Sequence, residues 1–190
     1  MTARLPTSRK GFLAGAAVGA GALLSACGGD SPAPNRGAGA RDVGVLNRAL
    51  EREHASVALY LAGLGQTRGP VRATMERLLE QERDHVRGLN EAIRDLGGTP
   101  RRSLPLAAYR AELGVDRVRD DAFMRLATRI ENETIASYLA HLPELSDGRL
   151  RQTAAAIMAN EAEHVAMLTG LRDPGRPVTQ VPAAFVGSAP

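Results

Sequence analysis

Between residues 41 and 171 apolar side chains recur at spacings of three and four, in four separate stretches. The first sets Leu46, Leu50, Val57 and Leu64 on one stripe and ends near Gly69 and Pro70. The second sets Met75, Leu78, Leu89, Ile93 and Leu96 together and stops at Gly97 and Gly98. The third starts near Asp120 and Asp121, carries Met124, Ile135 and Leu142, and stops before Pro143. The fourth starts near Asp147 and carries Leu150, Ala154, Ile157, Leu168 and Leu171. A period close to 3.5 in all four predicts an all-α, four-helix bundle.

Connection lengths predict the topology. Short links at residues 66–69 and 143–146 make helices one and two antiparallel, and likewise three and four. Residues 98–119 lie between helices two and three. At roughly 3.3 Å per residue that segment reaches along the whole of helix two. One long crossover between helices two and three would then let those two run parallel.

The stripes are not purely apolar. Glu53 and Tyr60 interrupt the first, Glu82 and His85 the second, Glu131 and Tyr138 the third, Glu161 and His164 the fourth. Four carboxylates and two imidazoles thus face the core. An unpaired buried carboxylate costs several kcal/mol, and a pair of divalent cations would supply the compensating charge. The halves also repeat. Residues 53–64 match residues 131–142 at six of twelve positions, including the Glu and the Tyr seven residues on. Residues 82–89 match residues 161–168, including Glu-x-x-His and the following Leu. Each copy of a duplicated helix pair gives one Glu and one Glu-x-x-His.

On these residues the chain resembles the ferritin-like di-iron carboxylate superfamily, specifically its exported bacterial members, over about residues 41–171. The resemblance implies a ferritin-like four-helix bundle. It implies six metal ligands, Glu53, Glu82, His85, Glu131, Glu161 and His164, with Glu82 and Glu161 bridging. Tyr60 and Tyr138 would neighbour the ligands. Two iron ions are the implied cofactor, manganese or zinc being alternatives for a carboxylate–imidazole donor set. The implied activity is oxidation of ferrous iron or reduction of peroxide or dioxygen. A non-catalytic metal-binding or scaffold lipoprotein is the alternative, and a lipid on every subunit argues against a closed storage shell.

Other acids and histidines read as surface. Glu51 and His54 repeat the Glu-x-x-His spacing off the stripe. Glu133 rivals Glu131, but the tyrosine seven residues on favours Glu131. Asp84 and Glu163 flank the histidines; a solvated face is expected, with orientation of the ring N–H groups the other option. His141 is expected at the surface.

Charge changes the picture at one end. The chain has 24 basic and 21 acidic residues, and Arg4, Arg9 and Lys10 precede any acid. Without that end the balance is zero, so the net charge gives no reason to expect nucleic acid. Residues 1–26 read as a signal peptide, with residues 11–26 as its apolar run. Residues 8–13, Ser-Arg-Lys-Gly-Phe-Leu, resemble a twin-arginine export motif, with Lys10 in the second arginine's place. Leu24-Ser25-Ala26-Cys27 resembles a lipobox that would lipidate Cys27. Residues 27–40 are expected to be a lipidated flexible tether, and residues 172–190 a Pro-rich tail. The protein would sit outside the cytoplasmic membrane, lipid-anchored or in the periplasm. The membrane and a separate electron donor are the expected partners, and a homodimer stays open. Cys27 is the single cysteine, which excludes a disulfide framework, an iron–sulfur cluster and a thiolate zinc site.

Overall fold

The computed structural model describes residues 36–175. Five α-helices follow in order: α1 (Arg36–Leu64), α2 (Gly69–Asp95), α3 (Leu106–Leu113), α4 (Asp120–His141) and α5 (Gly148–Arg172). Two 3₁₀ turns, Val115–Arg117 and Leu142–Glu144, flank α4. There is no strand among the described residues.

Local chemistry places the ends. Asp147 caps α5, its Oδ1 accepting from the backbone N–H groups of Arg149 (2.6 Å) and Leu150 (3.3 Å). Gly97 (φ 72°) closes α2 in the left-handed conformation that suits glycine. Its N–H donates to Arg94 (2.8 Å) and that of Gly98 to Ile93 (2.9 Å), a paired stop for the last carbonyls.

The four long helices form the bundle, α1 packing closely on α2 and α4 on α5. Tyr60 of α1 bonds Glu131 of α4, and Tyr138 of α4 bonds Glu53 of α1. One antiparallel register serves both pairs, so α1 and α4 run in opposite directions. With α1 and α2 antiparallel, α2 and α4 run parallel, as the crossover length predicts. The crossover holds the short helix α3 against α1, with Tyr109 as its buried side chain. Gly63 lets α1 approach Phe123 of α4: a Cβ there would lie 2.6 Å from the ring Cζ.

Two departures from expectation lie at the ends. α1 begins at Arg36, so residues 36–40, expected in the tether, are helical. α5 runs to Arg172, one residue into the expected tail. The expected signal peptide (1–26), Cys27 and residues 28–35 of the tether lie outside the described residues, as do residues 176–190 of the tail.

The core has two apolar layers. One gathers Leu59, Met75, Leu78, Phe123, Ile130 and Leu168. The other gathers Leu46, Leu50, Leu89, Ile93, Leu145 and Ile157. The charged residues of the stripes fall between them. Asn47 pins the crossover to α1: its Nδ2 donates to the Thr99 carbonyl (3.2 Å) and its Oδ1 accepts from the Arg101 N–H (2.7 Å). Asn47→Ala strips both partners and should cost about 1–3 kcal/mol. Denaturant melts should show the loss, and amide exchange at Arg101 should quicken. Unchanged exchange there would mean the pin does not hold the crossover.

Candidate metal centre

Three-residue and seven-residue spacings keep side chains on one helix face. Glu82 and His85 therefore point together from α2, as do Glu161 and His164 from α5. The antiparallel register of α1 and α4 adds Glu53 and Glu131 from the opposite side. All four carboxylates and His164 are fully buried, and His85 is 9 % exposed. The structure thus brings all six sequence-predicted ligands into one polar layer.

The donors form two nests. Glu53, Glu82, His85 and Glu161 offer atoms within 4.8 Å of one another, and so do Glu82, Glu131, Glu161 and His164. Glu82 and Glu161 belong to both. His85 Nδ1 lies 3.0 Å from Glu161 Oε1 and 3.6 Å from Glu82 Oε2. His164 Nδ1 lies 3.0 Å from Glu161 Oε2 and 3.1 Å from Glu82 Oε1. Each shared carboxylate therefore turns one oxygen to each nest. Glu53 (3.3 Å) serves His85 alone, and Glu131 (3.7 Å) serves His164 alone.

The predicted tyrosine neighbours are in place. Tyr138 donates its hydroxyl to Glu53 Oε1 (2.6 Å) and Tyr60 donates to Glu131 Oε1. Tyr60 also meets the His164 ring edge-on, with centroids 6.4 Å apart.

Charge is unevenly shared. Burial, reinforced by the neighbouring carboxylates, pushes Glu53 and Glu131 well above the usual carboxyl range. Burial would also raise Glu161, but the two imidazoles outweigh it and hold Glu161 at about 2. Burial disfavours the histidine cations; the surrounding carboxylates outweigh it and push His85 and His164 up to about 12. Burial raises both tyrosines well above their ordinary value. Without metal, Glu161 is thus an anion between two imidazolium groups.

A cation pair fits this donor set. Both oxygens of Glu82 and of Glu161, Oε2 of Glu131 and Nδ1 of His164 are buried without a hydrogen bond. The protonated His85 and His164 meet the oxygens of Glu82 and Glu161 only as ion pairs at 3.0–3.6 Å, and buried carboxylate oxygens left without aligned hydrogen bonds are costly unless something satisfies them. Carboxylate and imidazole without thiolate suit iron, manganese or zinc.

Sequence reasoning missed two residues. His85 Nε2 pairs with Asn160 Oδ1 (3.1 Å), and His164 Nε2 pairs with Gln81 Oε1 (3.1 Å). An amide oxygen accepts, so each Nε2 carries the proton and each Nδ1 turns to the carboxylates. Gln81 and Asn160 stand one turn before His85 and His164 and match each other in the duplication, a signal the sequence does hold. Two buried hydroxyls, Ser56 and Thr134, also occupy matching positions and have no hydrogen-bond partner. Of the residues expected at the surface, Glu51, Asp84, Glu133 and Glu163 are exposed, whereas His54 and His141 are half-buried, His54 with its ring Nε2 3.4 Å from the Arg101 carbonyl oxygen. Glu51 pairs with Arg101, Glu133 with Arg52 (3.9 Å) and Asp84 with Arg87. His141 bonds the Ser137 carbonyl (2.7 Å). Glu163 is exposed, yet accepts from Asn160 Nδ2 (3.0 Å) and so supports the His85 ring indirectly.

Comparisons with known proteins agree with this architecture. The family model of the ferritin-like domain matches residues 41–173. A solved structure of a conserved hypothetical protein from Mycobacterium tuberculosis superposes with a TM-score of 0.65 at 22% identity, covering 78% of this chain and 99% of that one. A ferritin-like, diiron-carboxylate protein from Bacillus anthracis gives 0.54 at 20% identity, covering 71% and 97%. No curated protein matches the sequence.

Proposed function

The chain belongs to the ferritin-like domain family, and on that premise we propose that it is an exported di-iron carboxylate protein that oxidises ferrous iron or reduces peroxide or dioxygen. The observation that carries this reading is the pair of buried nests sharing Glu82 and Glu161, with their carboxylate oxygens unsatisfied. Two iron ions held there would supply two electrons at adjacent positions. Glu53, Glu82, His85, Glu131, Glu161 and His164 would be the ligands.

The chain's own groups set the conditions for that chemistry. Gln81 and Asn160 keep the Nε2 protons outward, leaving the Nδ1 lone pairs for metal. Tyr60 and Tyr138 fix the outer carboxylates, Glu131 and Glu53. The apolar layers on either side exclude bulk water. With one cysteine in the chain, no Cys-x-x-Cys redox centre is available, so reductant would come from a separate protein.

The test is ferrous iron added anaerobically to metal-free protein, followed by air. Repeated oxidation, followed as ferric absorbance, supports the reading. Two tightly held ions with no oxidation would favour a non-catalytic metal protein.

Export and anchoring rest on residues 1–27. No helix among the described residues is long and apolar enough to cross a membrane. Cys27→Ser should therefore move the protein out of the membrane fraction, as a lipid on Cys27 would be its apolar anchor. Sedimentation of the variant with membranes would rule the lipobox out.

A further inference from the structure

The duplication makes a symmetric site, and the symmetry is broken at one seam. α2 and α5 run antiparallel and touch sparsely. His85 pairs across that seam with Asn160, and Gln81 with His164. That register sets Gly88 near Ala156 and Ile157 at the His85 end. It sets Met167 near Arg77 and Leu78 at the His164 end.

The duplication matches Gly88 to Met167 and Ala156 to Arg77, so small residues flank one histidine and large ones the other. A Cβ built on Gly88 would meet no atom within 4 Å. Exposure follows: the His85 side chain is 10% accessible and that of His164 is 1%. The polar contacts break symmetry too. From His85 a chain of hydrogen bonds runs through Asn160 to exposed Glu163. The matching acid, Asp84, is instead paired with Arg87, whose own counterpart is Ala166. Thus Glu163, at one nest, is held by the Asn160 amide alone, whereas the matching Asp84 is neutralised by an arginine.

We propose that the seam between α2 and α5 at Gly88, Ala156 and Glu163 is the port for divalent cations, so that the Glu53–His85 nest fills first and exchanges fastest. This rests on the di-metal reading above. Glu163 draws the hydrated ion to the opening, since a carboxylate at a narrow mouth raises the local cation concentration. The ion then meets Glu53 Oε2 and His85 Nδ1 before the deeper pair. The Glu131–His164 nest fills only past that first position, from within the layer.

Cobalt(II) is the probe, mixed rapidly with purified metal-free protein and followed by visible absorbance. Two ions should load in two phases. Gly88→Met places at the His85 end the residue that the duplication sets at the matching position of the His164 end, Met167, changes no ligand and adds helix propensity. It should slow the fast phase roughly tenfold, and Glu163→Gln should slow it in the same direction. Glu131→Ala, which keeps the His85 nest, should load faster than Glu53→Ala, which keeps the His164 nest. Loading of two ions in one phase, or a Gly88→Met protein with unchanged rates, would overturn the port while leaving the di-metal site standing. Fewer than two ions at equilibrium in the unaltered protein would overturn the di-metal reading and the port together.

Discussion

Glu161→Ala and Glu82→Ala are each expected to remove both metal ions, whereas Glu53→Ala and Glu131→Ala should each remove one. The difference follows from membership. Glu82 and Glu161 offer oxygens to both nests; Glu53 and Glu131 each serve one. Losing a carboxylate that merely orients a ligand weakens metal binding by about 10–100-fold, and losing a ligand should cost at least that. Applied to both nests at once, it should empty the site at micromolar metal. The measurement is metal content after equilibrium dialysis against manganese or iron, with Glu51→Ala as the control, since Glu51 pairs with Arg101 away from the seam. If Glu161→Ala retains two ions, α5 does not contribute to the site as its geometry implies.

The metal-free variants should separate in a second way. Glu161 is the anion between two imidazolium rings, 3.0 Å from each Nδ1. Its removal leaves two buried cations short of their main partner, a change that typically costs about 3–5 kcal/mol. Glu53 and Glu131 are pushed toward the protonated form, so removing either relieves crowding as well as losing a tyrosine bond. Metal-free Glu161→Ala should therefore be less stable than metal-free Glu53→Ala or Glu131→Ala.

The parts of this architecture legible in the sequence are those written in period and repeat. Glu53, Glu82, Glu131 and Glu161 stand on apolar stripes, where a charge has no bland explanation. The matched tyrosines separate Glu131 from Glu133, and the structure buries the first and exposes the second. Gln81 and Asn160 were not legible in the same way. Each sits just off its stripe, where an amide reads as solvated, and its role depends on a histidine of another helix. The helical start at Arg36 was hidden because Gly37, Ala38, Gly39 and Ala40 carry no apolar period. α3 was hidden for a related reason: its eight residues bury a single side chain, Tyr109. The asymmetry of the seam was legible only in part. Gly88 and Met167 align in the duplication, but their meaning needs the register of α2 against α5.

Metal-free protein is expected to lose stability as pH rises from 5.5 to 8, and divalent metal should cancel that slope. His85 and His164 have an ordinary value of 6.5 and are pushed up to about 12 in the fold. A group raised by folding contributes its full stability below its unfolded value and loses it as pH rises toward the folded one. The two histidines therefore cost stability from about pH 6.5 upward, by at most about 1.4 kcal/mol per pH unit for each proton retained. Glu53 and Glu131, raised above 4.5 by burial, act in the same direction from that value upward. Glu161 opposes them, but elsewhere: held at about 2, its contribution is present above 4.5 and lost only as pH falls toward 2. Between pH 5.5 and 8 Glu161 therefore does not offset the loss. A bound cation reverses the sign, because it needs the Nδ1 lone pairs free, displaces the protons and binds the native state alone. Melting curves across this range, with chelator and with manganese or zinc, make the comparison. The melting temperature with chelator should fall toward pH 8, and the gap between the two curves should widen. A chelated protein whose melting temperature is flat or rises toward pH 8 would show that the four acids and two histidines do not share one buried layer, and the case for a di-metal centre would go with it.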